Sequence, residues 1–253
     1  MIVNTHAHVG DTRVFDVVSD PDELLAAMDA TGVDVSLVMP SAGCRDAAAV
    51  HDQIYQLGQA HPGRIFGIVQ LNPHVDPDVY EAEASRCVRE LGFVALKIHP
   101  LGYGVNPLGR SADTVFRVGQ KLGVPVMVHT GSGIPWALPS LCILPAQKYP
   151  DLPIILAHAG MGVFMLDAYV TARLCPNIYL ETSWAKPGEL KWLIGELGPE
   201  RIMLGMDLVS NMPVELFKYR GLGLPDAVLD ACLGGTALRV FKLQDRVMAS
   251  ARS

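Results

Sequence analysis

Ile2-Val3-Asn4-Thr5-His6-Ala7-His8-Val9-Gly10-Asp11-Thr12 is the stretch on which the fold turns. It opens with apolar, β-branched residues and reads as a strand. Side chains on a strand alternate between faces, so His6 and His8 share one face. Two imidazoles on one strand face can grip one metal ion. The end of the strand matters as much. An open, doubly wound sheet usually carries a glycine-rich phosphate loop there, and Val9-Gly10-Asp11-Thr12 contains no G-x-G-x-x-G.

Seven further apolar runs recur at intervals of about 24 to 33 residues: Val35–Pro40, Ile65–Leu71, Val94–His99, Val124–His129, Ile154–His158, Ile178–Thr182 and Ile202–Asp207. Helical patterns separate them. Asp20-Pro21-Asp22-Glu23 opens one with a cap and a proline in the first turn, and Gly32 closes it. Asp76-Pro77-Asp78 and Gly92 bracket another, and Pro187-Gly188-Glu189 opens one that Gly195 or Gly198 ends. Pro225 to Leu243 reads as a last helix with an apolar face at Val228, Leu229, Cys232, Leu238 and Phe241. Strands alternating with helices make parallel βαβ units. Eight units in 253 residues predict an α/β chain folded as a single (β/α)8 TIM barrel over residues 1–253, with an extra C-terminal helix. Functional groups of that fold sit at the C-terminal ends of the strands. His129, His158 and Asp207 each end an apolar run, as His6 and His8 do. The spacing therefore predicts a metal site at a barrel mouth.

Half of the residues are hydrophobic and 18% are charged, which suits a packed core and excludes disorder. The net charge is −6 without a Lys/Arg cluster, which argues against nucleic acid or an anionic membrane surface as partner. The uncharged stretch from Leu152 to Leu166 is broken by Pro153, His158 and glycines and does not read as a membrane span. Met1 runs straight into the first strand, without a basic n-region or a cleavage site, so no signal peptide is expected. Cys44, Cys87, Cys142, Cys175 and Cys232 are odd in number, widely spaced and lack a C-x-x-C pair. They read as reduced thiols, and a cytoplasmic location is expected.

Thr5-His6-Ala7-His8-Val9-Gly10, the segment Gly92 to Pro100, Val128-His129-Thr130-Gly131, Ala157-His158-Ala159-Gly160, Leu204-Gly205-Met206-Asp207 and the tail from Pro213 to Leu243 together carry a resemblance over nearly the whole chain. The chain resembles the amidohydrolase superfamily, in particular the compact amidohydrolase-2 group of metal-dependent hydrolases and decarboxylases. That resemblance implies a divalent metal and an activated water. Three positions depart from it. Asn4 stands where relatives often carry Asp or Glu, a ligand in some decarboxylating relatives, so it weighs against that chemistry. Met206 replaces a common serine before Asp207 and should face away from it in packing. Thr236 replaces a common asparagine in Gly234-Gly235-Thr236-Ala237.

On this reading His6, His8, His129 and Asp207 hold one ion, with zinc the first expectation and manganese the alternative. Asp207 would also take a proton from bound water. His158 is an acid/base with one metal and a ligand with two. Lys97 and His99 share a face of the fourth strand. In two-metal relatives a lysine here is carboxylated and bridges the ions, and Leu96 to Pro100 resembles that segment of dihydroorotases. Uncarboxylated, Lys97 would bind a substrate carboxylate or carbonyl. Gly10 stands where dihydroorotases carry an arginine, which argues against that activity. His99 and Trp184 are further expected substrate contacts, and Glu181 would reach the cavity or pair with Lys97. Arg13, Tyr103, Arg110 and Trp136 lie in loops from which substrate is within reach. Thr130-Gly131-Ser132-Gly133 would let substrate approach. His51, His61 and His74 are expected on solvated faces.

Three functions compete. The leading one is metal-assisted hydrolysis of a small-molecule amide, lactone or cyclic imide. A metal there lowers the pKa of water, and Asp207 with His158 moves the proton. The alternative is metal-dependent, non-oxidative decarboxylation of a small unsaturated or aromatic acid, with Lys97 or His99 on the carboxylate. The third is a non-catalytic ligand-binding barrel, which predicts an eroded donor set, whereas His6, His8, His129, His158 and Asp207 are all present. Association of identical copies stays open.

Overall fold

The computed structural model describes residues 1–12, 14–131 and 135–250. Arg13, Ser132 and Gly133, candidates for substrate approach, lie outside the described residues. Among the described residues nine strands form one curled sheet: β1 (Val3–Thr12), β2 (Val17–Ser19), β3 (Val35–Pro40), β4 (Ile65–Gln70), β5 (Ala95–Ile98), β6 (Val126–His129), β7 (Ile154–Ala157), β8 (Ile178–Glu181) and β9 (Ile202–Met203). Their order is β2-β1-β3-β4-β5-β6-β7-β8-β9. Every pairing from β1 through β9 is parallel, and only β2 pairs antiparallel, with the end of β1. The eight parallel strands are the eight apolar runs. The hairpin β1–β2 is not legible in the sequence, because Val17 and Val18 are exposed and give no buried alternation. Past β9 the chain returns to β1. Thr5 N–H donates to Leu204 O at 3.1 Å, Asp207 N–H donates to His6 O at 2.8 Å, and Ala7 and Asp207 form a parallel bridge.

The helix caps at Asp20, Gly32 and Asp76 agree with the sequence, whereas the helix that Gly92 was expected to close ends at Arg89 and is capped by Glu90. The Asp20 carboxylate accepts from Asp22 N–H, Pro21 occupies the first turn, and Gly32 closes the helix Pro21–Thr31 at φ 76°. Asp76 caps Pro77–Arg89 in the same way. The C-terminal helix departs from expectation. It runs through Asp226–Asp230, a π-helical turn at Ala231–Gly235 and Thr236–Val240, and then gives way to a separate helix, Gln244–Ser250.

Both faces of the sheet are covered, which is why its strands read as continuous apolar runs. The outer layer packs Val38, Val69, Leu96, Val128 and Leu156 against helix residues such as Leu24, Met28, Ile54, Phe116 and Leu193. The inner layer contains Leu37, Met39, Ile68, Met127 and Ile155, together with Phe241, Leu243 and Val247 from the C-terminal segment. Each fully buried side chain of this kind contributes about 1.5–3 kcal/mol. No helix among the described residues is long and apolar enough to cross a membrane.

Candidate metal centre

The inward register turns polar at the C-terminal strand ends. Ala95 lies in the inner layer, and Lys97 and His99 continue its face; Met127 is succeeded inward by His129. β1 needs a correction of phase. Val3 faces the inner layer, so an unbroken strand would send His6 and His8 outward. A register shift between Asn4 and Ala7 reverses the phase and places Ala7 and Val9 in the outer layer. The two histidines therefore turn inward. Asn4 holds this irregularity: its Oδ1 accepts from His6 N–H at 3.1 Å and Met206 N–H at 3.0 Å.

His6 Nδ1 donates to Glu181 Oε2 at 2.8 Å, and His8 Nδ1 donates to Pro40 O at 3.2 Å. Carboxylate and carbonyl oxygens only accept, so each ring carries its proton on Nδ1 and leaves Nε2 bare. The two bare Nε2 atoms face each other at 3.1 Å. Asp207 Oδ1 lies 3.6 Å from His6 Nε2 and 3.4 Å from His8 Nε2. Two lone pairs and a carboxylate oxygen converging on one point call for a cation. The donor chemistry of His6, His8 and Asp207 fits a divalent ion. Lys97 Nζ approaches the same point, 3.0 Å from His6 Nε2.

The other predicted residues form a second layer. His129 is not in the three-donor cluster; its Nδ1 faces His158 Nε2 at 3.0 Å, and its Nε2 is buried without a partner. Its ring stacks on His99 at 4.2 Å, and His99 Nδ1 accepts from Gly102 N–H. His158 Nδ1 pairs with Ser183 Oγ at 2.7 Å. His6, His158 and Glu181 bring donor atoms within 4.8 Å of one another, but Glu181 Oε2 already accepts from His6 Nδ1 and from His158 N–H. Glu181 is thus a clasp on both histidines. It makes no hydrogen bond to Lys97.

Burial dominates the electrostatics. It holds His6, His99 and His129 well below the usual imidazole range, with Lys97 as a further cause for each, and lowers His158 to about 4. Burial also lowers Lys97 to about 8, against the pull of Asp207 and Glu181. For Asp207 burial opposes ionisation, but the neighbouring His6, His8 and His158 prevail and hold it well below the usual carboxylate range.

Backbone strain gathers here too. Among the described residues seven non-glycine positions have positive φ, and five of them (His158, Ala159, Met161, Trp184 and Asp207) come just after β7, β8 and β9. Such strain concentrates where a site over-determines the backbone. Gly205 serves the site by absence: a Cβ there would collide with the Glu181 carboxylate.

A cavity of about 290 Å³ lies over the cluster, lined by His8, His99, His129, His158 and Asp207 and by apolar Phe15, Val17, Leu101, Met161 and Leu208. Phe15 and Val17 come from the β1–β2 hairpin region that the sequence leaves unread. Lys97 and Trp184 do not line this cavity. Trp184 Nε1 instead donates to Asp207 Oδ2 at 2.8 Å. Tyr103, Arg110 and Trp136 are also absent from its lining. Met206 is buried in the outer core, facing away from the site. His51 corrects an expectation: it is fully buried, with Nδ1 on Glu83 and Nε2 accepting from Gln70 N–H. Ser183, Glu215 and Asn211, none of them singled out from the sequence, also belong to this network.

The amidohydrolase family model matches residues 3–243. The chain belongs to the amidohydrolase family. Over 198 residues this amidohydrolase is 25% identical to the gamma-resorcylate decarboxylase of Polaromonas sp. (strain JS666), covering 60% of this chain and 58% of that protein. The chain thus spans under three fifths of that curated relative's length in the alignment. Its fold matches a 2,6-dihydroxybenzoate decarboxylase complexed with 2,6-dihydroxybenzoate (TM-score 0.79, 19% identity, 96% of this chain and 99% of that one). It also matches the dihydroxybenzoic acid decarboxylase of Polaromonas sp. JS666 with bound manganese and 2-nitroresorcinol (TM-score 0.77, 19% identity, 96% and 97%). At such identities the likeness establishes a shared fold.

Proposed function

We propose that this amidohydrolase is a metal-dependent, non-oxidative decarboxylase of a small planar aromatic or unsaturated acid. The observation that carries the reading is the cavity over the three-donor cluster, walled by Phe15, Val17, Leu101 and Met161 and by the stacked His99–His129 pair. Its largely apolar wall suits a hydrocarbon ring. Hydrolysis, the first expectation from the sequence, has less support, because the curated relative and the two solved structures named above are decarboxylases. The same reading takes the eight parallel strands as a closed (β/α)8 barrel, joined through the bonds from Thr5 and Asp207 to Leu204 and His6.

A divalent ion held by His6, His8 and Asp207 would supply the positive charge that anchors the acid's oxygens; manganese is favoured over zinc because a neighbour of the same fold carries it. His99 and His129 are kept neutral by burial and offer no cation for a carboxylate. Lys97 does not line the cavity and lies 3.0 Å from His6 Nε2, so it would act on His6 rather than on the acid. Decarboxylation breaks the bond from carbon to the carboxylate, which leaves as CO2. The bonding pair stays on carbon, and a proton must arrive there. We assign its delivery to Asp207 and His158 at the cavity floor. Asp207 rests ionised and His158 neutral; both are weak bases, so a proton carried by either is readily given up to carbon.

The test is CO2 release by the manganese-loaded protein from 2,6-dihydroxybenzoate and a panel of other hydroxybenzoates. One CO2 per acid consumed is expected. Turnover of an amide, lactone or imide panel with no CO2 from any acid would restore the hydrolytic reading. Saturable binding of an acid without turnover would favour the ligand-binding barrel.

A further inference from the structure

Asp207 is gripped from two sides. Oδ1 faces His6 Nε2 and His8 Nε2, and Oδ2 accepts the indole N–H of Trp184 at 2.8 Å. We propose that Trp184 is a positioning residue whose indole N–H fixes the Asp207 carboxylate, so that one oxygen alone is presented to the ion shared with His6 and His8. This rests on the metal site of the proposed decarboxylase and adds to it the group that orients the carboxylate.

The chemistry suits that task. Indole N–H donates only and carries no charge, so it engages one oxygen and leaves the negative charge of the other for the ion. Trp184 is 39% exposed and does not line the substrate cavity, so neither core packing nor substrate contact accounts for where its polar edge is spent. The backbone is also held for this purpose. Trp184 and Asp207 have φ of 67° and 65°, a conformation that side chains with a Cβ disfavour. One bracket on the helix Met212–Arg220 and its N-cap, Asn211, supports both residues. Glu215 Oε1 accepts from Trp184 N–H at 2.9 Å and from Asn211 Nδ2 at 3.1 Å. Asn211 Nδ2 also donates to the carbonyl of Met206, the residue before Asp207, at 3.1 Å. Lys218 pairs with Glu215 and donates to Thr182 O at 2.9 Å, tying the bracket to the end of β8. Partners that orient a metal ligand typically change metal affinity about 10–100-fold when removed.

The experiment is calorimetric titration of the metal-free protein with Mn2+, comparing wild type, Trp184→Phe and Trp192→Phe. Trp192 lies on the helix Pro187–Leu197, against Tyr169 and away from the cluster. Trp184→Phe keeps the ring and loses the N–H. Its Kd for Mn2+ should rise about 10-fold or more, while Trp192→Phe stays within about twofold. A companion measurement stands even if Trp184→Phe folds poorly. In a Trp136→Phe/Trp192→Phe background Trp184 is the one remaining tryptophan, and its emission should change saturably with Mn2+, at the calorimetric Kd. An unchanged Kd in folded Trp184→Phe, or emission indifferent to bound Mn2+, overturns the positioning role and leaves the metal site standing. Failure of the wild type to bind Mn2+ overturns both.

Discussion

Acid should unfold the metal-free protein early, and by an amount set by its buried histidines. The folded state holds His158 at about 4, against 6.5 for an ordinary imidazole. Below pH 6.5 the unfolded chain takes up a proton that the folded site refuses, so acid favours unfolding. The stability tied to this group is fully present above pH 6.5, falls as pH drops, and stops falling near pH 4. One such proton is worth about 1.4 kcal/mol per pH unit, so His158 alone accounts for about 3 kcal/mol across the window. His6, His99 and His129 are displaced in the same direction by burial, which steepens the fall. Against a typical total of about 5–15 kcal/mol, the loss is decisive. The assay is urea denaturation of the metal-free protein at intervals from pH 7.5 to 4.5. ΔG should fall by several kcal/mol as pH drops from 6.5. A His158→Asn variant should show a slope shallower by about 1.4 kcal/mol per pH unit. Stability that is flat to within about 1 kcal/mol between pH 7 and 5 would refute the reasoning, because it would mean that the folded site takes up protons as readily as the open chain.

Other consequences are as direct. Glu181→Gln leaves the clasp on His6 without its charge and should weaken Mn2+ binding about 10–100-fold by titration, with little change in the circular dichroism spectrum. Gly205→Ala drives a methyl group into the Glu181 carboxylate and should lower Mn2+ affinity in the same assay although residue 205 is not one of the three donors. Leu37→Ala opens the inner layer where Leu37 is fully buried, and urea denaturation should show a loss of about 2–5 kcal/mol. Chelation should abolish CO2 release from whichever hydroxybenzoate proves to be a substrate, and added Mn2+ should restore it.

The helix caps and the eight parallel strands were legible because they depend on neighbours in the chain. Asp20-Pro21 with Gly32 is a local signal, and a strand buried on both faces shows itself as an uninterrupted apolar run. His129, His158 and Asp207 could be placed at one end of the sheet because each ends such a run. The β1–β2 hairpin stayed hidden because an exposed strand three residues long carries no burial pattern.

By itself the sequence determined which residue types stand at the strand ends, and so which chemistry is available. The tertiary structure decided which of them meet. Period-two alternation puts His6 and His8 on one face but is silent on whether that face is inward; a register shift held by Asn4, across the gap to Met206, decides it. His158 and His129 end adjacent strands and look equivalent as donors, yet the left-handed turn after β7 and the Glu181 clasp set His158 beside His6 and leave His129 farther out. Trp184 and Asp207 are 23 residues apart and meet because Glu215 and Asn211, on a later segment, hold both backbones. Periodicity reports the direction of a side chain relative to its own strand. Contact between strands depends on register, bulges and buried hydrogen bonds, which are set only when the sheet curls and its ends come together.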